Sequence, residues 1–241
     1  MHKLFFVHNL KIMQKITAGT SLSEQAFQAL RQDVLSGRHA PEVKLKVESL
    51  QQLYGYSSSP LREALNRLVQ EGLVKADERR GFRVTSISAA DLADITKMRL
   101  MLDIPALTES IQSGDDAWEA QIVAAFHTLE KIESRLPPGP VVLDAQWSQR
   151  HRDFHFSLIA ACPSERQLSW SMSLFDQAER YRHFAARNRT VSKKKDEEHR
   201  ALMKAVLKRD VPTATTLLAE HIGSTQANVL AAFKRAAAQR A

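Results

Sequence analysis

Four histidines carry the clearest chemistry in this chain. His151 and His155 are spaced i, i+4, so their imidazoles share one face of a helix. His199, in Glu197-Glu198-His199, and His221, in Ala219-Glu220-His221-Ile222, lie on two later segments. Imidazoles converging from three helices would hold Zn²⁺, Ni²⁺ or a similar borderline cation. Left apart, each is an ordinary surface or core-edge histidine. The pair is not a zinc-protease helix, because Arg152 rather than glutamate follows His151. No Gly-rich phosphate loop, nucleophile elbow or paired-carboxylate arrangement stands out, so a metal-dependent hydrolase is the weaker alternative. Asp153 lies two residues from His155 and points elsewhere on the helix. The single cysteine, Cys162, excludes an internal disulfide and fits a reducing cytosol, as a small buried residue.

The elements that must position these groups are helical. Residues 89–241 contain almost no β-branched alternation and read as amphipathic helices at about Ala89–Gln112, Trp118–Leu136, 141–161, 164–188, 192–209 and 212–238. Leu92, Ile95, Thr96, Arg99, Leu102 and Ala106 fall near one face of the first, which Pro105 should kink. Pro163 and Pro212 fit helix starts, and Pro137-Pro138-Gly139-Pro140 is the clearest loop. The expected fold class is mainly α, with a six- to seven-helix bundle enclosing a cavity over residues 88–241.

Residues 50–85 read differently: helix, tight turn, second helix, two-stranded hairpin. Gly55 marks the turn, Ser57, Ser58 and Ser59 suit capping, and Pro60 fits the first helical position. Leu61, Ala64, Leu65 and Leu68 form one buried stripe, opposite Arg62, Glu63, Asn66, Arg67 and Gln70. Gly72 stops the helix, and Leu73-Val74 and Phe82-Arg83-Val84 flank a charged tip. This is a winged helix-turn-helix, expected over residues 21–87. The net charge is +7, and residues 1–87 hold 13 Lys/Arg against 8 Asp/Glu, so +5 of it sits in about a third of the chain. That balance suits a polyanionic partner. Residues 1–20 read as a flexible extension, with Met13 an alternative start. Leu4-Phe5-Phe6-Val7 is too short for a secretory segment and no apolar run approaches a membrane span, so a cytoplasmic protein is expected.

From Gln25 to Val84 the chain resembles the GntR family of bacterial transcription regulators. The resemblance is carried by Leu30-Arg31, Gly37 with Pro41, the run from Ser57 to Leu65, Arg67-Leu68, Glu71-Gly72-Leu73-Val74 and Gly81-Phe82-Arg83-Val84. Two positions depart from the family pattern. Ser58 stands where an arginine is usual, which removes one expected DNA contact, and Glu42 replaces a glycine after the loop proline. Residues 89–235 resemble the FCD ligand-binding domain of many such regulators. The resemblance implies three histidine ligands, His155, His199 and His221, for a divalent metal. His151 stands at the position of the family's aspartate ligand and could coordinate, leave an open position or make the site metal-free. It also implies a small carboxylate effector held beside the metal. Arg99 matches a family arginine on the first bundle helix and could hold a carboxylate through two parallel bonds, or pair with Asp103. Trp147, Arg150, Tyr181 and Arg182 are further candidates for effector contact. Ser110-Ile111-Gln112-Ser113-Gly114-Asp115 and Trp118-Glu119-Ala120 resemble the carbon-starvation-induced regulator subgroup (CsiR), linked to catabolism of dicarboxylates such as glutarate.

The expected mechanism follows from these parts. A homodimer sets two winged domains on an inverted-repeat operator. Arg62 and Arg67 read base edges, while Arg31, Lys46, Ser57 and Ser59 hold phosphates, with Ser58 a further DNA-binding candidate. The Arg79-Arg80-Gly81 tip enters the minor groove. Effector binding then shifts DNA affinity, most simply by relieving repression. The alternative is an effector-independent DNA-binding protein whose bundle only dimerises.

Overall fold

Leu61, Ala64, Leu65 and Leu68 are all fully buried, as their spacing requires, on a helix running Ser58–Gln70 (α3). It belongs to a unit with α1 (Leu22–Leu35), β1 (Lys44–Leu45), α2 (Val47–Tyr54), β2 (Val74–Asp77) and β3 (Gly81–Val84). The computed structural model describes residues 21–77, 81–137, 139–188 and 195–238. Residues 1–20, including the expected extension, and Arg79 and Arg80 of the wing tip lie outside them. The chain divides into two compact units, one of residues 21–34 and Glu42–Thr85, the other of Leu35–Pro41 and residues 86–238.

In the first unit the strands form an antiparallel sheet ordered β1-β3-β2, with Leu45 opposite Phe82 and Val74 opposite Val84. Buried Leu45, Leu73, Val74, Phe82 and Val84 continue the apolar face that α1 contributes through Ala26, Leu30 and Val34. Gly55 ends α2 with φ 73° and donates its N–H to the Gln51 carbonyl at 2.9 Å, a left-handed cap that glycine adopts without strain. One expectation is corrected here. The helix begins at Ser58, so Pro60 is its third residue rather than its first, and Ser57 caps without a side-chain bond. Proline remains tolerated there because the first-turn N–H groups have no partner within the helix.

Glu42 takes φ 66°, the left-handed region where the family resemblance puts glycine. A side chain there costs roughly 1–2 kcal/mol. Its contact with Lys75 at 3.1 Å is half exposed and offsets little of that. Glu42→Gly is therefore expected to raise stability, by up to about 1 kcal/mol after the entropy glycine adds to the unfolded chain. A higher urea midpoint is the expected reading; an unchanged one would show that the position carries no strain.

The second unit contains, among the described residues, α4 (Ala89–Ser113), α5 (Asp116–Glu133), α6 (Ala145–Ile159), α7 (Glu165–Arg187), α8 (Lys195–Leu207) and α9 (Val211–Ala238). Four starts are set by side chains that accept an N–H three residues on: Ser88 from Asp91, Asp115 from Trp118, Asp144 from Trp147 and Ser164 from Gln167. Asp144 explains why α6 begins at Ala145 rather than near 141. The α4 helix runs through Pro105. Leu107, Ile122, Leu129, Phe154, Leu158, Leu202, Val206, Leu218 and Ile222 make one core, and Leu92, Ile95, Ala178, Tyr181 and Val229 a smaller one. Cys162 is buried in the larger core, and burial raises its thiol pKa. Among the described residues no helix is long and apolar enough to cross a membrane.

Candidate functional site

The bundle brings all four histidines together: α6 contributes His151 and His155, α8 His199 and α9 His221. One ligand nitrogen from each lies within 4.8 Å of the others, and all four side chains are buried, His199 completely. The Nε2 atoms of His151 and His155 are 3.2 Å apart. Trp147, one turn before His151, stacks on its ring at 4.5 Å between centroids. Two carboxylates stand behind the cluster. Glu133 at the end of α5 meets His199 Nδ1 at 3.2 Å and accepts the Trp147 indole N–H at 3.4 Å, while Glu198 meets His221 Nδ1 at 2.9 Å.

A carboxylate on Nδ1 fixes that nitrogen as the protonated one and leaves the Nε2 lone pair facing inward. His199 Nε2 and His151 Nδ1 are buried without a hydrogen-bond partner among the described residues. Such orphaned polar atoms are costly in a protein interior. Burial first, then the neighbouring imidazoles and the nearby arginines, hold His151 and His155 well below the usual histidine range. Both are neutral, the form that ligates metals. Four imidazoles closing on one point fit a divalent cation. Asp153 takes no part; it accepts from Gln149 at 2.7 Å.

A small recess, partly open to solvent, adjoins the cluster. Arg99, Asp103, His155, Ser171, Phe175 and Leu218 are among its lining residues. Of the two sequence readings of Arg99, the structure has the pair with Asp103, its Nε donating to Oδ2 at 3.0 Å; the same side chain lines the recess beside His155. Arg182 is buried under Phe175, donating to Glu179 Oε2 at 2.8 Å and to the Phe175 carbonyl at 2.7 Å. The other effector candidates are engaged elsewhere. Trp147 supports His151, Arg150 pairs with Asp153 at 3.4 Å, and the Tyr181 hydroxyl donates to Asp91 and accepts from the Ser88 N–H. Sequence reasoning missed Glu133, Glu179 and Ser171, which no motif singles out.

In the first unit α3 presents Arg62, Glu63, Asn66 and Gln70 to solvent. Arg62 Nε donates to Ser58 Oγ at 3.3 Å, within its own helix. Arg67 is less open: it donates to Glu24 at 2.6 Å and its guanidinium lies 3.7 Å from the Phe27 ring centre. Arg31 donates to Glu71 at 2.9 Å. Lys46, Ser57 and Ser59 are exposed, Ser58 half-buried, and Gly81 opens β3.

Residues 22–84 match the bacterial regulatory proteins of the gntR family, and residues 94–224 match the FCD domain. The chain belongs to the GntR family of bacterial regulatory proteins. It is 40% identical over 205 residues to an uncharacterized HTH-type transcriptional regulator, BphR, of Paraburkholderia xenovorans (strain LB400), covering 85% of this chain and 84% of that one. Similarity to the HTH-type transcriptional repressor GlaR of Escherichia coli (strain K12) is 35% over 207 residues, 84% of this chain and 93% of that one. The fold is shared with E. coli McbR/YncC, at a TM-score of 0.72 and 20% identity, over 90% of this chain and 99% of that one. This regulator is accordingly a DNA-binding transcription factor with an all-helical FCD domain, from families of regulators rather than enzymes.

Proposed function

We propose that this protein is a homodimeric, metabolite-responsive repressor whose helical unit binds a small carboxylate, dicarboxylates included, next to a divalent cation held by the histidine cluster. The observation that supports it most is the recess shared by Arg99 and His155. A carboxylate there would meet a guanidinium on one side and the cluster on the other. His155, His199 and His221 would hold the cation, with His151 as the fourth donor, and Zn²⁺ or Ni²⁺ suits such a set. When bound, the cation supplies a fixed positive charge for the effector's carboxylate. Arg99 orients that carboxylate while Asp103 keeps the guanidinium in place. Phe175 and Leu218 exclude water from its apolar part.

On the operator, Arg62 is the foremost base reader, because its guanidinium is exposed and has no acidic partner among the described residues. Arg67 and Arg31 must first exchange Glu24 and Glu71 for DNA. Lys46, Ser57, Ser58, Ser59 and Gly81 would contact the DNA backbone, and Arg79 and Arg80, outside the described residues, would be the wing-tip contacts.

The test is binding of the zinc-loaded regulator to its own upstream DNA, followed by fluorescence anisotropy across a panel of small mono- and dicarboxylates. At least one acid should shift DNA affinity, and DNA should shift that acid's affinity by the same factor. Arg62→Ala should weaken operator binding by roughly 1–3 kcal/mol and relax specificity. Unaltered binding by Arg62→Ala removes that residue from the reading face. A regulator whose DNA affinity ignores every acid and which carries no metal is the effector-independent alternative.

A further inference from the structure

We infer that His151 sets which cation this regulator accepts, by making the donor set around the cation all nitrogen, so that it takes Zn²⁺, Co²⁺ or Ni²⁺ and rejects Mn²⁺, Mg²⁺ and Ca²⁺. The inference rests on the proposed metal site and goes beyond it to the origin of selectivity. The four side chains that converge are all imidazoles, with no carboxylate oxygen among them. Among the described residues, the acidic groups near the cluster are committed to other partners. Glu133 and Glu198 sit behind His199 and His221, on the Nδ1 side. Asp103 is paired with Arg99, and Glu179 with Arg182 and His183. Asp153 accepts from Gln149 and Arg150.

Mg²⁺ and Ca²⁺ demand hard oxygen donors and Mn²⁺ favours them, whereas imidazole suits the later d-block cations. Replacing one carboxylate by an imidazole therefore tilts the site away from the hard ions and removes the one negative charge that would touch the cation. His151 is not explained as a core residue. It is 2% exposed, its Nδ1 has no partner among the described residues, and its Nε2 lies 3.2 Å from that of His155. A leucine or phenylalanine would fill that space without the cost of buried unpaired nitrogen. The ring is held in place from both sides, stacked on Trp147 and 5.4 Å from the centre of Phe175. That is the arrangement expected of a donor fixed by its surroundings.

The experiment dialyses the full-length regulator, stripped with chelator, against equal Zn²⁺ and Mn²⁺, with elemental analysis of bound metal. Co²⁺-loaded protein is read in parallel by its visible spectrum, which responds to donor type and geometry. Wild type should take Zn²⁺ nearly exclusively. In His151→Asp the Zn²⁺/Mn²⁺ ratio should fall at least as far as the roughly 10–100-fold that loss of a mere outer partner costs a metal site, and the Co²⁺ spectrum should change. Should the buried aspartate prevent folding, His151→Ala decides: it should lower Zn²⁺ affinity by a similar factor and shrink the rise in Tm on adding Zn²⁺. Wild type that binds no cation overturns the metal site itself. Wild type that binds Zn²⁺, with an unchanged ratio in His151→Asp or unchanged affinity in His151→Ala, overturns only the role given to His151.

Discussion

Arg182→Ala is expected to destabilise the helical unit by roughly 3–5 kcal/mol, the cost of removing one partner from a buried ion pair. Arg182 and Glu179 are 3% and 4% exposed, and the guanidinium also satisfies the Phe175 carbonyl. Burial alone would raise the Glu179 pKa, yet Arg182, followed by His183, brings it far below the ordinary carboxylate range. A carboxyl depressed on folding contributes stability that is present above its unfolded pKa, near 4.5, and is lost as pH falls toward the folded value. The wild type should therefore lose stability below about pH 5, and Arg182→Ala should show a flatter acid limb. Trp118, Trp147 and Trp170, the chain's three tryptophans, all lie in the helical unit, so their fluorescence follows its unfolding without a contribution from the winged unit. A urea midpoint within about 1 kcal/mol of wild type would show that water or His183 compensates Glu179. Replacing both partners by methionine should cost much less than Arg182→Ala.

His199→Ala is expected to abolish stoichiometric metal. His199 is the most deeply buried of the four imidazoles; one nitrogen is braced by Glu133 and the other has no hydrogen-bond partner among the described residues. Its loss removes a donor and leaves Glu133 without its histidine. In the wild type, cation at one hundred times its Kd should stabilise the folded state by about 2.7 kcal/mol, and that increment should vanish in the variant. Elemental analysis and melting curves with and without Zn²⁺ read both effects. His155→Ala and His221→Ala should behave alike, and stoichiometric metal retained in all three would refute the site. Operator binding at low salt should persist in each, because the winged unit has its own core.

What could be read in the sequence was local. The leucine stripe of α3 and the turn at Gly55 depend on residues within one or two turns, and the structure has them. Pro60 was displaced by two positions because nothing local decides whether a Ser-Ser-Ser-Pro run begins its helix at the second serine or at the proline. The convergence of His151 and His155 with His199 and His221 rested on resemblance, since spacing relates only the first two. The supporting carboxylates were not legible. Glu133 lies 66 residues from His199, and only the packing of α5 against α8 joins them. Tyr181 illustrates the reverse: an aromatic hydroxyl suited to a ligand is taken by Asp91, 90 residues earlier.

That tyrosine gives α7 a second attachment. Phe175 and Glu179 belong to the buried charged layer, while Arg180 and Tyr181 grip the chain at Ser86 and Ser88, where it enters the bundle. Six residues separate Phe175 from Tyr181, roughly 9 Å along a stiff rod. A push delivered at one end of that span arrives at the other with no slack to absorb it, so the stretch leading into α4 inherits any slide or roll of α7.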